Sequence, residues 1–138
     1  MNQISRTLLQ KWAIGAAVVC AVLLSAQELS ASEFIQCGKA SWYKLRGKTA
    51  SGETADPKGL TAAHRKLPFG TMATVTNLAN GRSVTVRIND RGPFTKGRII
   101  DVTQAAAVEL GFVQQGIARV RVVVDTLNSS ETSQQNCQ

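Results

Sequence analysis

The chain has 138 residues, with 16 Lys and Arg against 9 Asp and Glu, a formal net charge of +7, 43% hydrophobic residues and 5% aromatics. That length holds one domain and excludes a two-lobed enzyme with a cleft between domains, while the apolar fraction excludes a disordered basic tail. The basic surplus points to a polyanionic partner without choosing among nucleic acid, membrane and cell wall.

Residues 1–31 read differently from the rest. Arg6 and Lys11 precede a charge-free apolar run of 15 residues from Trp12 to Ala26. Such a run fits the hydrophobic region of a secretory signal peptide and falls short of the roughly 18–20 residues that span a bilayer. Residues 1–31 are therefore expected to be a signal peptide with Ala31 as a cleavage point; an uncleaved anchor helix is the competing reading. Cys20 follows Val19 and Cys37 follows Gln36, neither of which is the small residue of a lipobox, so a soluble exported form is expected. Cleavage takes Arg6, Lys11 and Glu28 with it and leaves 107 residues at net +6. The charge thus belongs to the folded part. Export lowers nucleic acid among the partners, raises anionic wall polymer or lipid headgroups, and leaves no membrane span after cleavage. Cys37 and Cys137 remain as a pair that suggests a disulfide, with two separate thiols as the competing reading.

The elements that follow are mostly strands. Lys39-Ala-Ser-Trp-Tyr43 is a candidate, followed by a loop through Thr49-Ala-Ser-Gly-Glu-Thr-Ala-Asp-Pro57. Ala73–Asn77 alternates, and Ser83–Ile88 does so more clearly, with Val84, Val86 and Ile88 on one face. Asn80-Gly81 between them favours a tight hairpin turn. Arg98–Val102 is a short strand. One helix is predicted over Gln104–Leu110, with Thr103 as its cap and Gly111 in the left-handed position that ends it. Ala118–Val124 alternates again, Val120 and Val122 opposite Arg119 and Arg121. Five short strands and one helix suit a small closed or half-closed barrel. The domain layout is then a short segment at 32–37, the barrel at 38–125 and a polar tail at 126–138.

The polar residues to weigh are Glu53, Asp56, His64, Asn89, Asp90, Arg91 and Asp101. Glu53 and Asp56 lie in a loop, where Asp before Pro starts turns. His64 is the only histidine, and a lone histidine is more often structural than catalytic. Asp90 follows an alternating strand and precedes Arg91-Gly-Pro93, which suits either a positioned functional carboxylate or an Asx-type turn. Two distant cysteines and one histidine give no zinc spacing, so neither metal nor cofactor is expected. Without a GxSxG elbow or a phosphate loop ahead of a Lys, the chemistry left is acid/base work by carboxylates. That chemistry suits glycosidic bond cleavage.

The segments Ala40-Ser-Trp-Tyr43, Thr49-Ala-Ser-Gly-Glu53, Thr61-Ala-Ala-His-Arg-Lys-Leu-Pro-Phe-Gly-Thr71, Asn80-Gly-Arg82, Val86-Arg-Ile-Asn-Asp-Arg-Gly-Pro-Phe94 and Gly97-Arg-Ile-Ile-Asp101 closely resemble the rare lipoprotein A (RlpA) family. The resemblance runs from about Gly38 to Val124. It implies a mainly β fold, a six-stranded double-psi β-barrel with one or two short helices. It also implies a lytic transglycosylase that cleaves the MurNAc–GlcNAc bond of bacterial peptidoglycan, on strands lacking stem peptides, to leave 1,6-anhydro ends. The family's acidic positions fall on Glu53, Asp56 and Asp90, and its histidine on His64. In that reading Asp90 is the acid/base, Glu53 stabilises the oxocarbenium-like transition state or shares the proton work, and Asp56 and His64 orient these groups and bind sugar. Tyr43, Arg65, Asn89 and Arg91 are assigned to substrate binding. Lys44, Arg46, Lys48, Arg65 and Lys66 either attract anionic lactyl carboxylates or form a solvated basic surface.

The expected partner is therefore a peptidoglycan glycan strand, met by a monomer in the periplasm or cell envelope, with no nucleic acid involved. The competing reading is a non-catalytic, expansin-like wall-binding or wall-loosening protein on the same barrel. Two departures from the family are visible. Ala55 stands where an aromatic is common, and the chain ends thirteen residues after Asp125, so septal targeting is not expected.

Overall fold

The computed structural model describes residues 32–126 and Cys137; the expected signal peptide over 1–31 lies outside them, as does the expected polar tail apart from Thr126 and Cys137. In chain order the elements are β1 (Ser32–Tyr43), β2 (Thr61–His64), β3 (Met72–Asn77), β4 (Ser83–Asp90), β5 (Arg98–Thr103), α1 (Gln104–Leu110) and β6 (Ile117–Thr126). Among the described residues no helix is long and apolar enough to cross a membrane.

Period-two alternation builds the barrel wall. On β4, Val84, Val86 and Ile88 are buried while Ser83 and Thr85 are exposed. On β6, Val120, Val122 and Val124 turn inward and join Ala73, Val75, Ile100 and Val102 in one core. The strands close in the order β1-β5-β2-β4-β3-β6. Neighbours β1/β5 and β2/β4 run parallel, and the other four pairs run antiparallel. Closure removes the sheet edges that would invite association. The fold is the six-stranded barrel that the motifs imply.

The helix has the predicted bounds and caps. The Thr103 hydroxyl accepts from the Ala106 amide at 3.5 Å, and Gly111 takes φ 73°. Ala106, Ala107 and Leu110 are buried, with Phe112 beyond them. The Asn80-Gly81 turn also forms, the Gly81 amide donating to Asn77 O at 2.8 Å.

Two stretches differ from the sequence expectation. Residues 32–37, expected to precede the barrel, belong to β1 and pair with β6 from Ser32 opposite Thr126 to Cys37 opposite Arg121. Thr61–His64, not expected as a strand, is β2, seated between β4 and β5. Its small residues Ala62 and Ala63 carry little alternation for a sequence reading to detect. Cys37 is disulfide-bonded to Cys137 with Cα atoms 5.5 Å apart, closing a loop of 100 residues.

The site follows from one row of strand partners. Ala63 stands opposite Asp90 of β4 on one side and Asp101 of β5 on the other, and Asp101 stands opposite Ser41 of β1. A register shift between Ala62 and Ala63 skips Asn89, so Asp90 is the residue that meets Ala63. Such bulges re-aim side chains beside active sites.

Candidate active site

The loop after β1 folds back on itself and docks on the end of β4. Lys48 and Thr54 form a bridge, the Gly52 amide donates to Thr49 O at 2.9 Å, and Gly52 takes φ 88°, which a side chain would strain. The loop's amides then reach the strand. Ala50 N donates to Asp90 Oδ1 at 2.8 Å and Ser51 N to Asn89 O at 3.2 Å. Arg91 N also donates to Asp90 Oδ1 at 2.9 Å. Both bonds fall on one oxygen, and Oδ2 takes no hydrogen bond among the described residues. Asp90 is thus a fixed carboxylate with one oxygen to spare.

Glu53, carried by the same loop, is held differently. Arg87 Nη1 lies 2.9 and 3.1 Å from its two carboxylate oxygens. Arg87 and Asn89 are two residues apart on β4, and their side chains, with that of Ser51, favour the charged form of Glu53. Together they hold its carboxyl below the usual carboxylate range. The ion pair with Arg87 thus favours the charged form of Glu53. Asn89 itself is buried, and its Oδ1 has no partner among the described residues.

His64 is buried and engaged at both ring nitrogens. Its Nδ1 accepts from the Lys66 and Leu67 amides at 3.1 and 3.0 Å, so Nε2 carries the proton and donates to Gln36 Oε1 at 2.8 Å. Burial, with Arg65, Arg91 and Lys66 nearby, lowers its pKa to about 4. With both ring nitrogens occupied, the imidazole shapes the turn after β2. Arg91, expected at the substrate, turns to the protein. Its Nη1 donates to Leu67 O and His64 O at 3.0 and 3.2 Å, and its guanidinium stacks 3.9 Å over the Phe69 ring. Arg65 is exposed and donates to Arg98 O at 3.2 Å.

Asp56 caps its own turn, with Oδ1 accepting from the Lys58 amide at 2.9 Å. It also borders a groove of about 390 Å³ between Lys44, Lys58 and α1. Tyr43, at the end of β1, joins Thr49, Asp56 and Thr103 in lining an adjacent depression. Burial pushes its phenol well above the ordinary value, and the negative charges of Asp90 and Asp101 add to that.

The fold thus brings Glu53, Asn89, Asp90 and Tyr43 to one end of the barrel, while His64 and Arg91 are engaged with Gln36, Phe69 and main-chain groups. Sequence reasoning missed Arg87, the partner that defines Glu53. The available signal was its place two residues before Asn89 on an alternating strand. Among the described residues no three of His, Cys, Asp and Glu gather as a metal site.

Comparison with known proteins gives the family. A family model described as lytic transglycolase matches residues 35–122. The endolytic peptidoglycan transglycosylase RlpA of Neisseria meningitidis serogroup A is 54% identical over 94 residues, covering 66% of this chain and 39% of that protein. The protein of the same name from Vibrio cholerae is 51% identical over 98 residues, covering 69% of this chain and 37% of that one. The chain spans about two fifths of the length of these relatives. Among solved structures, a mutant Clavibacter michiganensis expansin in complex with cellohexaose superposes with a TM-score of 0.56 at 19% identity, covering 71% of this chain and 54% of that one. That likeness is one of fold.

Proposed function

The chain belongs to the RlpA family of double-psi β-barrel lytic transglycosylases, and from that premise we propose that it cleaves the MurNAc–GlcNAc bond of peptidoglycan without water, closing a 1,6-anhydro ring. The observation that carries this reading is a pair of carboxylates held in unlike ways where one loop meets one strand end. Glu53 is held by Arg87, which favours its charged form. Asp90 is oriented through one oxygen by the Ala50 and Arg91 amides. Two carboxyl groups at one junction suit a reaction that needs both a proton carrier and a fixed anion.

Asp90 then serves as general acid and base in turn. Its proton goes to the leaving oxygen of GlcNAc as the glycosidic bond breaks. The positive charge that develops on the MurNAc ring is met by the Glu53 carboxylate. The C6 hydroxyl attacks C1 and returns its proton to Asp90, so the acid is regenerated and no water is consumed. His64 and Arg91 do their work in the protein, by fixing the turn on which Asp90 and β2 rest. Asp56 and Tyr43 border the sugar.

The substrate is a glycan strand stripped of stem peptides, whose lactyl carboxylates suit a surface carrying Lys44, Arg46, Lys48 and Lys66. The protein acts as a monomer in the periplasm or cell envelope, on polysaccharide rather than nucleic acid. The test is digestion of purified denuded strands followed by mass spectrometry. Wild type and Glu53→Gln are expected to differ in rate, and Asp90→Asn to release nothing. Undiminished anhydro products from Asp90→Asn remove that assignment, and bound but intact strands with wild type make this a wall-binding protein.

A further inference from the structure

We propose that Thr49 is a positioning residue for both carboxylates, joining the support of Asp90 to that of Glu53. Its effect on turnover rests on the lytic reading above, whereas its hold on the loop does not.

Thr49 is a buried polar residue, 7% exposed, between the exposed Lys48 and Ala50. A hydroxyl in such a place needs partners, and it has them on the loop itself. Thr49 Oγ1 donates to Glu53 O at 3.3 Å and lies 2.9 Å from Ser51 Oγ. The Thr49 amide donates to the same Glu53 carbonyl at 2.9 Å. One residue thus holds the Glu53 main chain twice, at the point from which the Glu53 carboxylate reaches Arg87 at 2.9 and 3.1 Å.

The other side of Thr49 serves Asp90. The peptide unit between Thr49 and Ala50 is planar, so fixing its carbonyl also fixes the direction of its amide. Thr49 O accepts from the Gly52 amide at 2.9 Å, and Ala50 N donates to Asp90 Oδ1 at 2.8 Å. The next amide, Ser51 N, donates to Asn89 O at 3.2 Å. Two successive amides therefore fasten the loop tip to β4, and the Thr49 hydroxyl closes that tip from 49 to 53. Thr49 also borders the depression lined by Tyr43, Asp56 and Thr103. It stands outside the barrel core, so loosening it should disturb the tip and leave the strands intact. Small displacements of reacting groups cost rate more than binding. Thr49 acts through the two carboxylates.

The experiment compares Thr49→Val, which keeps the branched shape and loses the hydroxyl, with Thr49→Ser, which keeps the hydroxyl. On denuded glycan, Thr49→Val is expected to lower kcat about tenfold with KM within about twofold, and Thr49→Ser to recover most of that loss. Amide exchange followed by NMR should quicken at Ala50 and Ser51 in Thr49→Val and stay as in wild type on β3 and β6. Thr49→Ala serves if the Val variant does not fold. Unchanged exchange at Ala50, faster exchange across the strands as well, Thr49→Ser as slow as Thr49→Val, or a loss confined to KM overturns the proposal. If wild type releases no anhydro products, the lytic reading fails while the exchange at Ala50 and Ser51 still decides whether Thr49 holds the loop.

Discussion

One guanidinium nitrogen of Arg87 reaches both carboxylate oxygens of Glu53, at 2.9 and 3.1 Å, across 34 positions of chain. Both side chains are about 40% exposed, so solvent screens the pair and its use is to set charge and orientation. Arg87→Gln is expected to leave thermal stability at neutral pH nearly unchanged and to raise the Glu53 titration toward the ordinary carboxylate value, read by carboxyl-carbon NMR. The sign is fixed by linkage. An acid with a lowered folded-state pKa stabilises the fold above its unfolded value, and that contribution disappears as pH falls through the folded one. Any stability gap between wild type and Arg87→Gln should therefore close in acid.

His64 predicts a second pH dependence. Its pKa falls from 6.5 to about 4 on folding, so between those values the unfolded chain binds the extra proton. Stability rises with pH across that window and is complete above 6.5. The full effect is on the order of 3 kcal/mol. Chemical denaturation of wild type from pH 7 to pH 4 should show the fall, and His64→Gln should lack it. Because His64 is the only histidine, NMR gives its tautomer without overlap, and the Nε2–H form is expected.

Gly111 predicts a backbone effect. It sits at φ 73°, and an added Cβ would lie 2.7 Å from Arg82 Nη1 and 2.9 Å from Asn80 Nδ2. Gly111→Ala should destabilise by more than about 1 kcal/mol, from strain plus displaced side chains. A denaturation midpoint equal to wild type would mean that α1 ends in another way.

Reduction of Cys37–Cys137 is expected to lower stability without dissolving the barrel, because β1 keeps its ladder with β6 on both sides of Cys37. A loop of this length is worth up to about 4.7 kcal/mol in the chain-entropy model. Urea melts with and without reductant measure the difference, and the reduced protein should retain its strand signal by circular dichroism.

Much of this structure could be read from residues alone, for identifiable reasons. The strands β3, β4 and β6 alternate because one face of each is core. The helix is delimited by Thr103 and Gly111, both of which act through local backbone chemistry. β2 was hidden because Ala62 and Ala63 are small on both faces and the strand is only four residues long. The first half of β1 was hidden because its partner lies some 90 positions away on β6. The same distance problem governed the site. The motifs point to Glu53, Asp56, His64 and Asp90, but motifs do not reveal partners. That His64 is held by Gln36, that Arg91 serves the main-chain carbonyls of His64 and Leu67, and that Arg87 holds Glu53 are all non-local facts. Only strand register puts Asp101 across β2 from Asp90.

The most direct test of a lytic route is to digest denuded glycan strands in oxygen-18 water and analyse the new chain ends by mass spectrometry. The mechanism built on Asp90 and Glu53 predicts 1,6-anhydro-MurNAc ends that carry no label. Labelled reducing ends would contradict it, because they require water to have attacked the sugar in place of its own C6 hydroxyl.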